Sequence, residues 1–335
     1  MREPLPPLSR GLVRAGEGIL RYGVLALNLG VLVLLRSTAS TWVAAVAVVV
    51  ALGLLVLVAR RDATVRLWGL YMLGFLLFAQ LRSVADQTGV PVRFDYVVEL
   101  ERSLFGGTFP TVWLQERLYS LGEIGALEIA TVAVYTSYFV VPHLVVLALW
   151  LRRSPLFGRF AVAVLGTAYL GLAVSFAVPT APPWLAAQSG HLPFVSRIVR
   201  DTFDGVDSSV YDRGYEVVGV NAVAAMPSLH LAMTVLILFA AWRGGLGVRL
   251  AGLGYALAMA FALVYAGEHY VVDLVAGVAA AALAWRAAPS IVDLVESRGR
   301  RRAAHDEPAI PVPALLARPD GVPAPARETR APVAR

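Results

Sequence analysis

GEHYVVDLVAG, residues 267–277, opens a long apolar run with two polar groups that hydrocarbon tolerates poorly, His269 and Asp273. A spacing of four places both side chains on one face of a helix. There the carboxylate can take the proton of one imidazole nitrogen and leave the other nitrogen free to attack. A second histidine, His230 in MPSLHLAMT, also stands at the start of an apolar run. Two such histidines and one acid buried beside them point to phosphoryl chemistry at a membrane surface.

Working outward, the composition agrees. Of 335 residues, 58% are hydrophobic and only 16% charged, against roughly a quarter charged in soluble domains. The expected fold class is all-α: a polytopic membrane bundle of about eight transmembrane helices. The chain has no cysteine, which excludes disulfides, thiolate metal sites and cysteine nucleophiles. All 29 basic residues are Arg, so a phosphate clamp must use Arg, histidine or backbone N–H groups. The arginines are scattered at the ends of apolar runs, which argues against a nucleic-acid partner.

Spanning runs are expected at 20–36, 41–59, 64–82, 124–151, 157–178, 226–243, 247–266 and 268–286. Arg10, Arg14 and Arg21 precede the first; Arg60, Arg61 and Arg66 follow the second. Arg152, Arg153 and Arg159 lie between the fourth and fifth, Arg243 and Arg249 between the sixth and seventh, and Arg298, Arg300, Arg301 and Arg302 after the eighth. Eight spans with both termini cytoplasmic put all these clusters on the side that the positive-inside rule asks for. The expected division is a cytoplasmic segment 1–19, a membrane domain 20–286 and a largely disordered cytoplasmic tail 287–335. Two long connections fall on the outer side. Residues 83–123 mix acids, arginines and aromatics as interfacial helices do; residues 179–225 begin with the Pro-rich PTAPPW.

This topology brings His230, His269 and Asp273 to one membrane depth at the outer face, although 39 positions separate the histidines. Pro227 and Ser228 precede His230, as expected at a helix start. Free N–H groups at such a start attract phosphate, and Ser228 offers a hydroxyl donor.

PSLH, followed one hairpin later by H-x-x-x-D, resembles the second and third motifs of the type 2 phosphatidic acid phosphatase superfamily. PTAPPW, YTSYFVVPH, MPSLH and GEHYVVD together look like the branch that includes inositol phosphorylceramide synthase and its bacterial relatives. The resemblance covers roughly residues 64–286 and implies a six-helix catalytic core that works through a phosphohistidine. It makes His269 the nucleophile, Asp273 its orienting partner, His230 the proton donor to the leaving oxygen and Ser228 a phosphate ligand. It implies a phospholipid or polyprenyl phosphate substrate and a lipid or polyol acceptor, with no cofactor and no metal.

The chain departs from that pattern in three places. Leu229 stands where the family motif has Gly. Leu263 stands where an Arg lies six residues before the histidine. The first motif, a Lys followed by Arg-Pro, has no match. Phosphoryl transfer needs cations on the equatorial oxygens, so another Arg must supply them. Arg82, at the outer end of the third span, is the first candidate; Arg197, Arg200 and Arg213 in the second outer connection follow. His143, within the fourth span, is a further candidate, either for substrate contact or for hydrogen bonding to a neighbouring helix.

The expectation is a phosphotransferase of the bacterial plasma membrane, with an extracytoplasmic site, that moves an inositol phosphate-like unit between lipids. Two other readings stay open: a lipid phosphate or polyprenyl pyrophosphate phosphatase, and a transporter or non-catalytic membrane scaffold. Polar residues spread through the membrane interior would mark transport, whereas here they gather near one face.

Overall fold

The computed structural model describes residues 63–82, 85, 89–205 and 222–306. The expected spans 20–36 and 41–59, Arg213 and the tail beyond 306 lie outside the described residues. All the regular elements described are helices: α1 (Ala63–Arg82), α2 (Asp95–Leu104), α3 (Pro110–Leu118), α4 (Ala126–Ser137), α5 (Val141–Leu151), α6 (Leu156–Ala177), α7 (Pro183–Gln188), α8 (198–205), α9 (Leu229–Ala241), α10 (Leu246–Tyr265) and α11 (Val271–Asp306). Among the described residues, α1, α6, α10 and the Val271–Ser297 part of α11 are long and apolar enough to cross a bilayer. The chain is a multi-pass membrane protein.

Three sequence expectations meet a different local structure. The run 124–151 is not one straight helix. It breaks into α4 and α5, bent by 48° at Tyr138–Val140. Pro142 sits at the start of α5; it has no N–H to continue the ladder and disfavours helical backbone in the residue before it. The span at 226–243 is a 13-residue helix, α9, starting at Leu229. The last helix does not stop at 286 but runs through Pro289 to Asp306. A proline there leaves the carbonyl four residues earlier, that of Trp285, without its helix partner. Arg159 of α6 donates to that carbonyl from Nε at 3.2 Å and Nη2 at 3.1 Å, and its guanidinium lies 4.2 Å from the Trp285 ring. The helix therefore crosses the proline without an orphaned acceptor.

The helices pack as a bundle in which α11 lies against α6, α9 against α10 and α11, and α10 against α4. The core between them is built from Phe160, Val164, Ala168, Met233, Leu236, Met259, Leu263 and Ala281. Two short turns, 152–155 after α5 and 242–245 after α9, carry Arg152, Arg153 and Arg243 at one end of the bundle. The opposite end carries Arg82, His230 and His269. It is covered by α2, α3 and the Pro-rich segment.

That cover is tied together by backbone. Thr180 forms parallel bridges to Arg93 on one side and Ala224 on the other. Trp184 N–H then donates to the Gly267 carbonyl at 3.1 Å, so PTAPPW is fastened directly to the GEHYVVD segment. The expected interfacial helices in 83–123 are present as α2 and α3. Leu100, Leu104, Phe105, Trp113 and Leu118 are exposed there.

Candidate active site

Ser228 is the N-cap of α9, its Oγ accepting the Leu231 N–H at 3.4 Å. A Ser preceded by Pro is a strong local start signal, since the hydroxyl replaces a missing helix acceptor. The cap sets the first residues of α9 so that His230 projects at the bundle end. On α11 the corresponding work is done by carboxylates. Asp273 Oδ2 accepts the Tyr270 N–H at 2.9 Å, and Glu101 of α2 accepts the N–H groups of Val271 and Val272 at 3.0 and 3.1 Å. Anionic acceptors suit the positive end of a helix.

These two helix starts bring the sequence-predicted residues together. His269 Nδ1 lies 3.4 Å from Asp273 Oδ2, and His269 Nε2 lies 3.4 Å from His230 Nδ1. All three side chains are buried. His230 stacks on Tyr135 at 4.6 Å between centroids and lies 4.1 Å from the ring of Tyr138. Its Nε2 is buried without a hydrogen-bond partner among the described residues. The order is therefore acid, imidazole, imidazole. A proton on His269 Nδ1, facing the Asp273 carboxylate, would leave the lone pair on Nε2, the nitrogen nearest His230.

A cavity of about 60 Å³ faces this pair. Its lining includes both histidines, Arg82, Arg197, Trp184 and Glu268. Arg197 donates from Nε to Glu268 Oε1 at 2.9 Å, and its guanidinium lies 4.1 Å from the Trp184 ring. Both members of the ion pair are nearly enclosed. A larger cavity of about 1040 Å³ lies at the opposite end, lined in part by Arg153, Arg159, Arg243 and Asp293. Its lining contains no histidine, and it is remote from His230 and His269.

The other sequence candidates fall elsewhere. Arg200 pairs with Asp204 at 3.4 Å on the exposed side of α8. His143 accepts or donates a 2.5 Å hydrogen bond with Tyr71 Oη and packs edge-on against Phe75 of α1; it joins α5 to α1 and is not part of the cavity. Ser228 is fully buried and does not line the cavity.

The motif departures have structural counterparts. Leu229 packs against Gly171 of α6, where a Cβ would clash with the leucine. Leu263 is fully buried in apolar core, and its carbonyl accepts the N–H groups of Glu268 and His269 at 3.1 and 3.2 Å. No cation enters from that position. Arg82 and Arg197 approach from α1 and from the outer connection instead. Sequence reasoning missed Glu101, Gln115, Trp184 and Glu268. The only signal for Glu268 was its place beside His269, and for Trp184 its place in the Pro-rich segment.

A family model described as PAP2 superfamily matches residues 96–287. A curated relative, the phosphoinositol dihydroceramide synthase of Bacteroides thetaiotaomicron, is 28% identical over 209 residues, covering 58% of this chain and 67% of the relative. No solved structure matches.

Proposed function

The chain belongs to the PAP2 superfamily and is a membrane phosphatase or phosphotransferase; from that premise we propose that it transfers a phosphoryl-headgroup unit, inositol phosphate-like, from one lipid to another through a phosphohistidine on His269. The observation that carries this reading is the line Asp273, His269, His230, with both contacts at 3.4 Å. The name of the Bacteroides relative supports a lipid headgroup transfer over simple hydrolysis.

The mechanism is a double displacement. His269 Nε2 attacks phosphorus while the bond to the departing lipid oxygen breaks, and His230 gives that oxygen a proton. Asp273 holds the Nδ1 proton and stabilises the positive charge that forms on the ring. Arg82 and Arg197 face the equatorial oxygens. For Arg197 this requires phosphate to compete with Glu268 for the guanidinium. Ser228, fully buried and outside the cavity lining, serves as the cap of α9 through the Leu231 N–H and makes no phosphate contact in this scheme. In the second step the acceptor hydroxyl attacks phosphorus, the N–P bond breaks, and His230 takes the hydroxyl proton.

The arginines at the end opposite the histidines support a cytoplasmic location for that end and an extracytoplasmic site. The bacterial relative supports a bacterial plasma membrane. The test is to incubate purified protein with labelled phospholipids and lipid or polyol acceptors, then resolve the products by mass. Transfer predicts one new lipid per donor consumed. Free phosphate released without an acceptor would instead establish a phosphatase, acting on phosphatidic acid or polyprenyl pyrophosphate.

A further inference from the structure

The outer hairpin formed by α2 and α3 sends two buried polar side chains inward, Glu101 at 1% exposure and Gln115 at 7%. Both end on main-chain groups far away in sequence. Glu101 takes the N–H groups of Val271 and Val272, two of the three residues that lie between His269 and Asp273. Gln115 is fully used: its Oε1 accepts the Ser196 N–H at 2.9 Å, and its Nε2 donates to the carbonyls of Ser196 at 3.0 Å and Tyr265 at 2.8 Å. Ser196 precedes Arg197, and Tyr265 ends the helix that leads into Gly267 and His269.

Gly267 shows how tightly the three segments meet. It has φ +75°, and a Cβ there would lie 2.8 Å from Val195 and 2.9 Å from the Ser196 carbonyl. The backbone before His269 thus rests on the backbone before Arg197, with Gln115 bonded to both.

We propose that Glu101 and Gln115 are positioning residues: Glu101 fixes the backbone that carries His269 and Asp273, and Gln115 fixes the segment that carries Arg197. The inference rests on the reading of His269 as nucleophile and Arg197 as phosphate ligand. Buried side chains that spend every hydrogen-bonding atom on backbone at a site restrict that backbone to one arrangement. A misplacement of about 1 Å in the nucleophile costs on the order of 100-fold in rate. The two residues therefore weigh differently on the kinetic parameters. Glu101 holds only the backbone of the attacking group and acts on kcat. Gln115 acts mainly on phosphate capture, hence KM, through the Ser196 contacts, with a smaller effect on kcat through Tyr265.

The test uses the full-length protein in vesicles containing the labelled phospholipid that wild type turns over fastest among phosphatidylinositol, phosphatidylglycerol, phosphatidylethanolamine and phosphatidic acid. Glu101→Ala is expected to lower kcat by about 10- to 100-fold with KM within about twofold. Glu101→Gln keeps one acceptor and should recover part of the loss. Gln115→Ala is expected to raise KM at least about fivefold, with a smaller change in kcat. Thermal unfolding of each variant reports the folded fraction, and Glu101→Gln serves if Glu101→Ala does not fold. Folded variants with kcat and KM both within about twofold of wild type would overturn the proposal, as would losses that merely follow the folded fraction. His269→Ala in the same assay separates the premises. If it is inactive while the Glu101 and Gln115 variants are undisturbed, the positioning roles alone fail. If it is active, the nucleophile assignment fails and the inference falls with it.

Discussion

Ser228 and Asp273 are joined main chain to main chain: the Ser228 N–H donates to the Asp273 carbonyl at 3.0 Å. The start of α9 and the first turn of α11 are thereby stapled, and the His230–His269 distance follows from that staple. One turn further along α11, Gly277 lies against the same serine, and a Cβ there would collide with the Ser228 carbonyl oxygen.

Gly277→Ala must therefore push the two helix starts apart. The expected result is an activity loss of at least about tenfold and a stability loss of about 1–3 kcal/mol, the usual cost of overpacking. Gly247→Ala on α10, where a Cβ would meet nothing within 4 Å, is the matched control and should leave both unchanged. Turnover and thermal unfolding in detergent check the pair.

Asp273→Asn keeps the shape of the side chain but loses its charge and, with it, the hold on the His269 tautomer. The expected outcome is a fall in kcat of about 10³-fold or more with KM little changed, by analogy with the buried aspartate of the serine-protease triad. Steady-state kinetics on the same donor lipid would measure it.

Arg82 and Arg197 line the cavity beside the histidines, and in the proposed mechanism they take the place of the cation that Leu263 does not supply. Arg82→Ala and Arg197→Ala are each expected to lower kcat/KM by about 10- to 100-fold, in the range of losing one charged donor to a transition state. Arg197→Lys should not restore activity, because an ammonium cannot reproduce both the Glu268 contact and the stacking on Trp184. Arg200→Ala, on the exposed side of α8, should be near neutral in the same assay.

Burial pushes the Glu101 carboxyl above its ordinary value of 4.5, outweighing the two N–H groups that favour the ionised form. The sign is that of an acid raised by folding. Its contribution to stability is fully present below pH 4.5 and is lost as pH rises through the higher folded value. Wild type is therefore expected to lose stability relative to Glu101→Gln across that window, then to run parallel to it at higher pH. Thermal unfolding of both proteins as a function of pH provides the comparison.

Much of this site was legible because chemistry and spacing coincide there. A four-residue interval placed His269 with Asp273, a proline and a serine marked the start of α9, and arginines in successive turns sorted the ends of the helices. The break at Tyr138–Val140 was signalled by Pro142, though apolarity alone reads straight across it. The continuation of α11 past Pro289 depends on Arg159, 126 positions from Trp285; no local pattern encodes that rescue. Glu101 and Gln115 were hidden for the same reason. Each looks like one more polar residue on an amphipathic interfacial helix, and its partners are backbone groups 81 to 171 positions away. Arg197 could be named as a candidate, but its pairing with Glu268 and Trp184 arises only when the outer connection folds back over the histidines.

The central claim is a covalent intermediate on His269. The direct measurement is to quench wild-type protein during turnover of a headgroup-labelled donor lipid, digest it under alkaline conditions that preserve phosphoramidates, and locate the label by mass spectrometry. The account predicts a phosphoryl-headgroup adduct on the peptide containing His269, discharged when acceptor lipid is added and missing in His269→Ala. Label on another residue, or an equally active His269→Ala, would contradict it.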